Sequence, residues 1–174
     1  MLNRERIRYI VYPVVLAWLL TSWVRPIYSD GAAMLPTIGD GQVIIVEKTA
    51  YNRIHKVPKL YDVVAFRKDF APTEDEGANT IRRVIGGPGD IVQIKNGIVY
   101  NNGKPLDESN YALGTTEGDI GPLTVGEDEV FVLGDNRIES IDSRGKDIGL
   151  LKTDLIRGKA ILRIWPINEL AKIR

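Results

Sequence analysis

The chain has 174 residues, enough for one ordinary domain with an appendage but not for two domains. Its 23 acidic and 23 basic residues cancel, so no global field draws nucleic acid or an acidic partner. With no cysteine and a single histidine, His55, it excludes disulfides, thiolate metal sites and histidine-based metal clusters; no metal or cofactor is expected, and His55 reads as a loop residue beside Lys56.

Residues 1–8 hold Arg4, Arg6 and Arg8 against one acid, and residues 9–24 carry no charge. That uncharged run is slightly shorter than the ~20 residues a spanning helix uses. Ile7 and snorkelling arginines extend it, and Tyr9, Tyr12, Trp18 and Trp23 are rings suited to a membrane boundary. The run predicts one N-terminal transmembrane helix, kinked at Pro13, with a cytoplasmic N-terminus and the remainder outside. A cleavable signal peptide competes, because a basic segment, an apolar run and Ala32-Ala33 occur in order. The gap between the apolar run and the alanine pair favours an uncleaved anchor. Residues 1–26 then form a cytoplasmic stub and anchor, and residues 27–174 an extracytoplasmic domain.

From residue 27 the pattern changes to short strands between Gly, Pro and Asn turns. Strands are predicted over 42–46, 63–66, 80–85, 130–133 and 159–164, and over 91–94 and 98–100 around Lys95-Asn96-Gly97, a strong hairpin signal. The domain is therefore expected to be mostly β, in coiled or barrel-like sheets. Residues 68–79 and 105–126 read as solvated loops, the acidic run in the first being a surface. Met34, Leu35, Ile38 and Trp165-Pro166-Ile167 are candidates for an apolar face resting on a bilayer, with core packing the equal alternative.

Three stretches carry the chemistry: Gly31-Ala32-Ala33-Met34-Leu35-Pro36-Thr37; Ile81-Arg82-Arg83-Val84-Ile85-Gly86, running into Gly87-Pro88-Gly89-Asp90; and Gly134-Asp135-Asn136-Arg137 with Asp142-Ser143-Arg144 close behind. In this order they resemble the type I signal peptidase (leader peptidase) family, and the resemblance continues to Trp165-Pro166. It implies a β-rich serine endopeptidase scaffold with a Ser-Lys dyad, in which a hydroxyl attacks the scissile carbonyl and a lysine amine, kept neutral by burial, takes its proton. At the serine position this chain has Ala33, and at the lysine position Arg82. Alanine offers no oxygen, and a guanidinium does not give up its proton to become a base.

The resemblance further implies that Ser140 would hydrogen-bond the base amine and that Asp142 and Arg144 would pair beside the site. Asp135, Asn136 and Arg137 would shape the turn beneath it, with Met34 and Pro36 completing the turn at Ala33. The N–H of residue 33 would be an oxyanion donor, and Gly31 stands where some relatives add a hydroxyl donor. Taken alone, Gly-Asp-Asn-Arg is a tight turn and Asp142 with Arg144 a surface pair; four motifs in order favour the functional reading. The partners implied are a lipid bilayer, at a bacterial cell membrane, and exported precursors with Ala-x-Ala before the cut, lying extended along residues 80–86 and the segment before Met34.

The chain as written is expected to bind such precursors without cutting them. It is either the scaffold of an active parent altered at both positions or a natural non-catalytic relative serving pilus or surface-protein assembly. The intact Ser140, Asp142 and Arg144 favour the active parent. Ser29, Lys48, Lys95 and Arg83 lie off the nucleophile and base positions and are not expected to rescue it. The related Ser-Lys self-cleaving repressors share a strand core, but the apolar N-terminal segment and the lack of a DNA-binding helical domain argue against them.

Overall fold

The computed structural model describes residues 4–51, 57–67 and 79–174; His55 and residues 68–78 of the expected acidic loop lie outside them. A helix, α1 (Arg4–Trp23), forms where the anchor was expected and contains Pro13. At ~1.5 Å per residue it is about 30 Å long. Its Tyr9, Val11, Tyr12, Val14, Val15, Trp18 and Trp23 are exposed. Among the described residues no helix is long and apolar enough to cross a membrane. The reason is composition: the arginines in its first turns, Pro13 and the aromatic rings dilute the aliphatic run. The chain leaves α1 directly into a strand that the sequence reading missed, β1 (Val24–Tyr28).

The remaining strands are β2 (Val43–Glu47), β3 (Val63–Arg67), β4 (Asn79–Gly86), β5 (Ile91–Lys95), β6 (Ile98–Asn101), β7 (Lys104–Pro105), β8 (Ile120–Thr124), β9 (Glu129–Leu133), β10 (Leu151–Lys152), β11 (Ile156–Trp165) and β12 (Ala171–Lys172). The mostly-β expectation holds. Among the described residues the larger sheet runs β1-β2-β11-β3-β4-β9-β10, with β12 added to β11, and the smaller runs β7-β6-β5-β8. β4 is central to the site. It sets Arg82 opposite Val64 and Arg83 opposite Val63 of β3, and pairs Arg83 with Leu133 of β9 on its other side.

The sheets close on three apolar clusters. One joins Ile27, Met34, Ile38, Ile44 and Val46 to Val63, Ala65 and Ala160; a second gathers Val64, Phe66, Val84, Val130 and Val132; a third joins Val92, Ile94 and Val99 to Ile85, Phe131 and Leu133, and so seats the small sheet on the large one. Met34 and Ile38 therefore belong to the core and cannot rest on a bilayer, whereas Trp165 and Ile167 are exposed. The packing tolerates no side chain at position 158. A Cβ on Gly158 would run into the Glu47 carbonyl oxygen and come within 2.8 Å of Val46 Cγ1.

The Asn96-Gly97 signal is realised as a two-residue hairpin turn between β5 and β6, with φ of 51° and 78°. The expected loop over 105–126 needs correction. It contains β8, whose Ile120 and Leu123 pack on the third cluster, and it buries Tyr111, Thr116 and Val125.

Asp90, at the entry to β5, gathers three donors: the Gly87 N–H at 2.9 Å, Asn101 Nδ2 at 3.0 Å and Asn102 Nδ2 at 2.8 Å. Partial burial acts to raise its pKa, but these hydrogen bonds outweigh it and hold the carboxyl below its ordinary value. A depressed folded-state pKa contributes stability that is present above the unfolded value, near ~3.9, and is lost as pH falls through the lower folded one. Asp90→Asn is therefore expected to lose stability less steeply than the parent below about pH 4. Parallel urea midpoints for the two chains across that range would show that Asp90 contributes nothing to the acid limb.

Candidate active site

Two turns and one strand build the site. The first turn carries Gly31, whose positive φ of 87° suits glycine and whose N–H is held by Asp40 Oδ1 at 2.8 Å. It continues through half-buried Ala33 to the buried Met34, and Ile38 N–H donates to the Met34 carbonyl at 2.8 Å. Pro36 follows on a cis peptide bond after Leu35.

The second turn, 134–137, grips the first. Asn136 N–H donates to the Ala33 carbonyl at 3.0 Å, and Asn136 Nδ2 to the Ala32 carbonyl at 3.2 Å. Asp135 accepts a short hydrogen bond from the Thr37 hydroxyl. Arg137 closes the turn on itself from Nε to the Gly134 carbonyl at 2.9 Å, and its Nη atoms reach Glu108 at 2.6 and 3.0 Å and Thr116 Oγ1 at 2.5 Å.

From β4, Arg83 enters the same cluster, with Nε on Asp135 Oδ1 at 2.8 Å and Nη2 on Oδ2 at 2.7 Å. Both side chains are almost fully buried, at 1% and 0% exposure. The guanidinium also lies over the Tyr111 ring, 4.3 Å from its centroid. Sequence reasoning gave Arg83, Tyr111, Glu108 and Thr37 no role. An arginine next to the base position and a lone tyrosine in an apparent loop were the available signals.

Arg82, also buried, takes the other direction. Its Nε donates to the Ile141 carbonyl at 2.9 Å and its Nη1 to the Ile81 carbonyl at 2.6 Å. Burial pulls its pKa down to about 10, with Arg144 adding to the fall and Asp142 and Asp135 opposing it. It remains a cation at neutral pH, with no lone pair to accept a proton.

Asp142 is buried and pairs with Arg144 through both carboxylate oxygens, at 2.8 and 2.9 Å, while its Oδ2 also accepts the Gly134 N–H at 3.1 Å. Arg144 Nη2 reaches the Arg137 carbonyl at 2.8 Å, so the pair ties the turn to the 140–144 segment.

Between these elements lies Ser140. Its hydroxyl oxygen is buried and has no hydrogen-bond partner. It packs beneath Gly134, where an added Cβ would collide with the Ser140 side chain and lie 2.6 Å from the Ala33 carbonyl oxygen. Gly134→Ala is accordingly expected to destabilise the fold by about 1–3 kcal/mol, as overpacking does. An unchanged thermal midpoint would mean that this gap is wider than drawn.

The positions singled out in the sequence thus converge on one region. Ala33 and Ser140 meet at Gly134, and Arg82 grips the residue after Ser140. Among the described residues no cluster of His, Asp and Glu could hold a metal ion.

Comparison with known proteins adds the following. Residues 3–165 match the family described as "Signal peptidase, peptidase S26". A "Probable signal peptidase I-1" of Synechocystis is 36% identical over 95% of this chain and 84% of its own. A "Signal peptidase I" of Bacillus licheniformis is 34% identical over 97% and 91%, and one of Leptolyngbya laminosa 37% identical over 97% and 83%. The crystal structure of a signal peptidase I from Enterococcus faecalis, 30% identical, aligns with a TM-score of 0.45 over 60% of this chain and 97% of that one. A family match spanning nearly the whole chain, together with relatives this similar across most of their own length, establishes that the chain belongs to the signal peptidase family, peptidase S26.

Proposed function

We propose that this chain is a membrane-anchored signal peptidase scaffold that binds exported precursors through small residues before the cleavage point. With Ala33 and Arg82 at the dyad positions, it does not cut them. The observation that carries the reading is the buried, unpartnered Ser140 hydroxyl. A buried polar atom without a partner is costly and calls for an explanation. A lysine amine at position 82 supplies one, because it is the donor that a hydroxyl there would receive. The guanidinium of Arg82 instead turns to the Ile141 and Ile81 carbonyls.

The rest of the reading follows from placement. Ala33 occupies the nucleophile position, with its own N–H as an oxyanion donor, and the turn built on Asp135, Asn136 and Arg137 with the Asp142–Arg144 pair holds the region in place. β1 ends the large sheet and leads into Gly31, so its outer edge can take an extended precursor ending beside Ala33. The exposed apolar residues of α1, with Trp165, Ile167 and Leu170, are the surfaces that meet lipid. On this reading α1 anchors residues 1–26 with a cytoplasmic N-terminus in a bacterial cell membrane, and the β domain lies outside.

One observation favours the second reading, a natural non-catalytic chaperone for pilus or surface proteins: Arg82 is well accommodated, with two good backbone acceptors. Precursor binding and cleavage measured together decide between the two, in the parent and in a chain carrying Ala33→Ser with Arg82→Lys. Binding by both and cleavage only by the variant supports the peptidase scaffold; binding by both and cleavage by neither supports the chaperone.

A further inference from the structure

β4 is covered unevenly on its two sides. β3 pairs with it from Asn79 to Arg83, whereas β9 joins the other side only from Arg83↔Leu133 onward. Among the described residues no strand pairs with residues 79–82 on that second side.

Backbone groups of an antiparallel strand alternate in direction, so the register decides which residues face the uncovered side. Val84 faces the β3 side: its carbonyl accepts from the Tyr61 N–H and its N–H donates to the Asp62 carbonyl, both at 2.8 Å and both just before β3. Counting back in twos, Arg82 also turns its backbone to β3, and Ile81 turns its N–H and carbonyl to the uncovered side. Ile81 thus sits on an edge of the kind to which an extended peptide adds. That edge lies beside the Ala33 turn, because Ile81 packs in the same apolar cluster as Met34, the residue after Ala33.

The Ile81 carbonyl is already taken. Arg82 Nη1 donates to it at 2.6 Å, while Nε of the same guanidinium donates to the Ile141 carbonyl at 2.9 Å. The group therefore spans from the edge of β4 to the 140–144 segment, and it is buried there. An arriving peptide N–H meets the guanidinium where it would otherwise find an acceptor. A hydrogen bond from a cation is stronger than one from a neutral amide, so the newcomer does not displace it freely.

We propose that Arg82 is an autoinhibitory latch, whose guanidinium closes the free edge of β4 at Ile81 to the extended precursor that this edge would otherwise hold by strand addition. The inference rests on the precursor reading given above, and it gives arginine at this position a second effect, on binding, beside the loss of the base. The parent then holds precursors through what remains of the site, more weakly than the same chain without the guanidinium.

The test uses the full chain in detergent and a fluorescein-labelled peptide carrying Ala-x-Ala, followed by anisotropy. Arg82→Met, which removes the donors but keeps an unbranched side chain, is expected to bind the peptide about tenfold more tightly than the parent, the worth of one backbone hydrogen bond regained. Arg82→Lys, whose amine turns to Ser140 on that reading, frees the same carbonyl and is expected to match it; it carries the test if Arg82→Met has lost its urea transition. A series of peptides with one amide at a time replaced by an ester identifies the contact. At one position the ester is expected to cancel the gain in both variants and to cost the parent nothing, because the parent's carbonyl is already occupied. Equal affinity of parent and variants overturns the proposal and leaves the precursor reading standing. A gain that persists through the whole ester series overturns it too, since it marks a loosened site, and so does a gain confined to Arg82→Met, which marks charge alone. If none of the chains binds the peptide, the precursor reading falls and the latch with it.

Discussion

A chain carrying Ala33→Ser and Arg82→Lys together is expected to cleave a precursor bearing Ala-x-Ala, where the parent and both single variants leave it intact. Serine alone gains a nucleophile with no base to take its proton, and lysine alone a base with nothing to activate. Groups that act as a unit fail together, so the step from either single variant to the pair should be on the order of 10⁴-fold or more in rate. The environment is suited to the task. Position 82 is buried enough to draw an arginine down to about 10, and the same desolvation acts on a lysine. Because the neutral amine is the active form, kcat/KM should rise with pH through an acidic limb well below the ordinary lysine value of ~10.4. The Ser140 hydroxyl then has the partner it lacks. Ser140→Ala in the restored chain should lower the apparent pKa of that limb, because a hydroxyl that accepts from the amine favours its protonated form, and a merely structural serine would leave the limb where it is. Silence of the double variant toward a precursor that it binds would end the disarmed-peptidase reading.

Asp135→Ala should be the most damaging single substitution for stability. It strands the Arg83 guanidinium, 1% exposed, without its carboxylate, and removes the acceptor of the Thr37 hydroxyl. Breaking one side of a buried pair costs about 3–5 kcal/mol, mostly because an uncompensated charge is left inside. With a urea m-value near ~2 kcal/mol/M, the midpoint should fall by about 2 M. The double variant Asp135→Leu with Arg83→Met, which removes both charges at similar volume, should recover much of the loss. If the double is as unstable as the single, the cost lies in the lost Thr37 contact and the reshaped turn. The damage should also reach the Ala33 turn, since Thr37 is one of the ties that fix it to the 134–137 turn.

Local chemistry was legible in the sequence wherever residue type alone sets the conformation. Asn96-Gly97 specified its turn because both residues accept positive φ, and β3, β4, β5 and β9 stood out as dense aliphatic and β-branched runs. The order of the motifs singled out Ala33, Arg82 and Ser140; in the structure Ala33 and Ser140 approach Gly134, and Arg82 donates to the carbonyl of Ile141 next to Ser140. β1 and β8 were missed because Arg25-Pro26 and Gly121-Pro122 are poor strand formers, and their pairing with β2 and β5 decides the matter. Tyr111 and Glu108 looked like loop residues because what buries them, Arg83 and Arg137, arrives from distant parts of the chain. The positive φ of Tyr61 has no local signal at all; it is held by β4, through Val84 and Arg83. Met34 and Ile38 read equally well as core or as a bilayer face, and only the packing of β2 and β3 against them separates the two.

The position of β11 carries a consequence for biogenesis. Residues 156–165 fill the slot between β2 and β3, so no earlier strand can complete the large sheet until that late segment has been synthesised and delivered. Until then β2 and β3 expose facing edges suited to mispairing with other chains. Pairings this remote in sequence also make for slow folding. A nascent chain of this kind should therefore depend on holdase protection until that segment has been made, and truncations just short of residue 156 should aggregate rather than leave a smaller folded product.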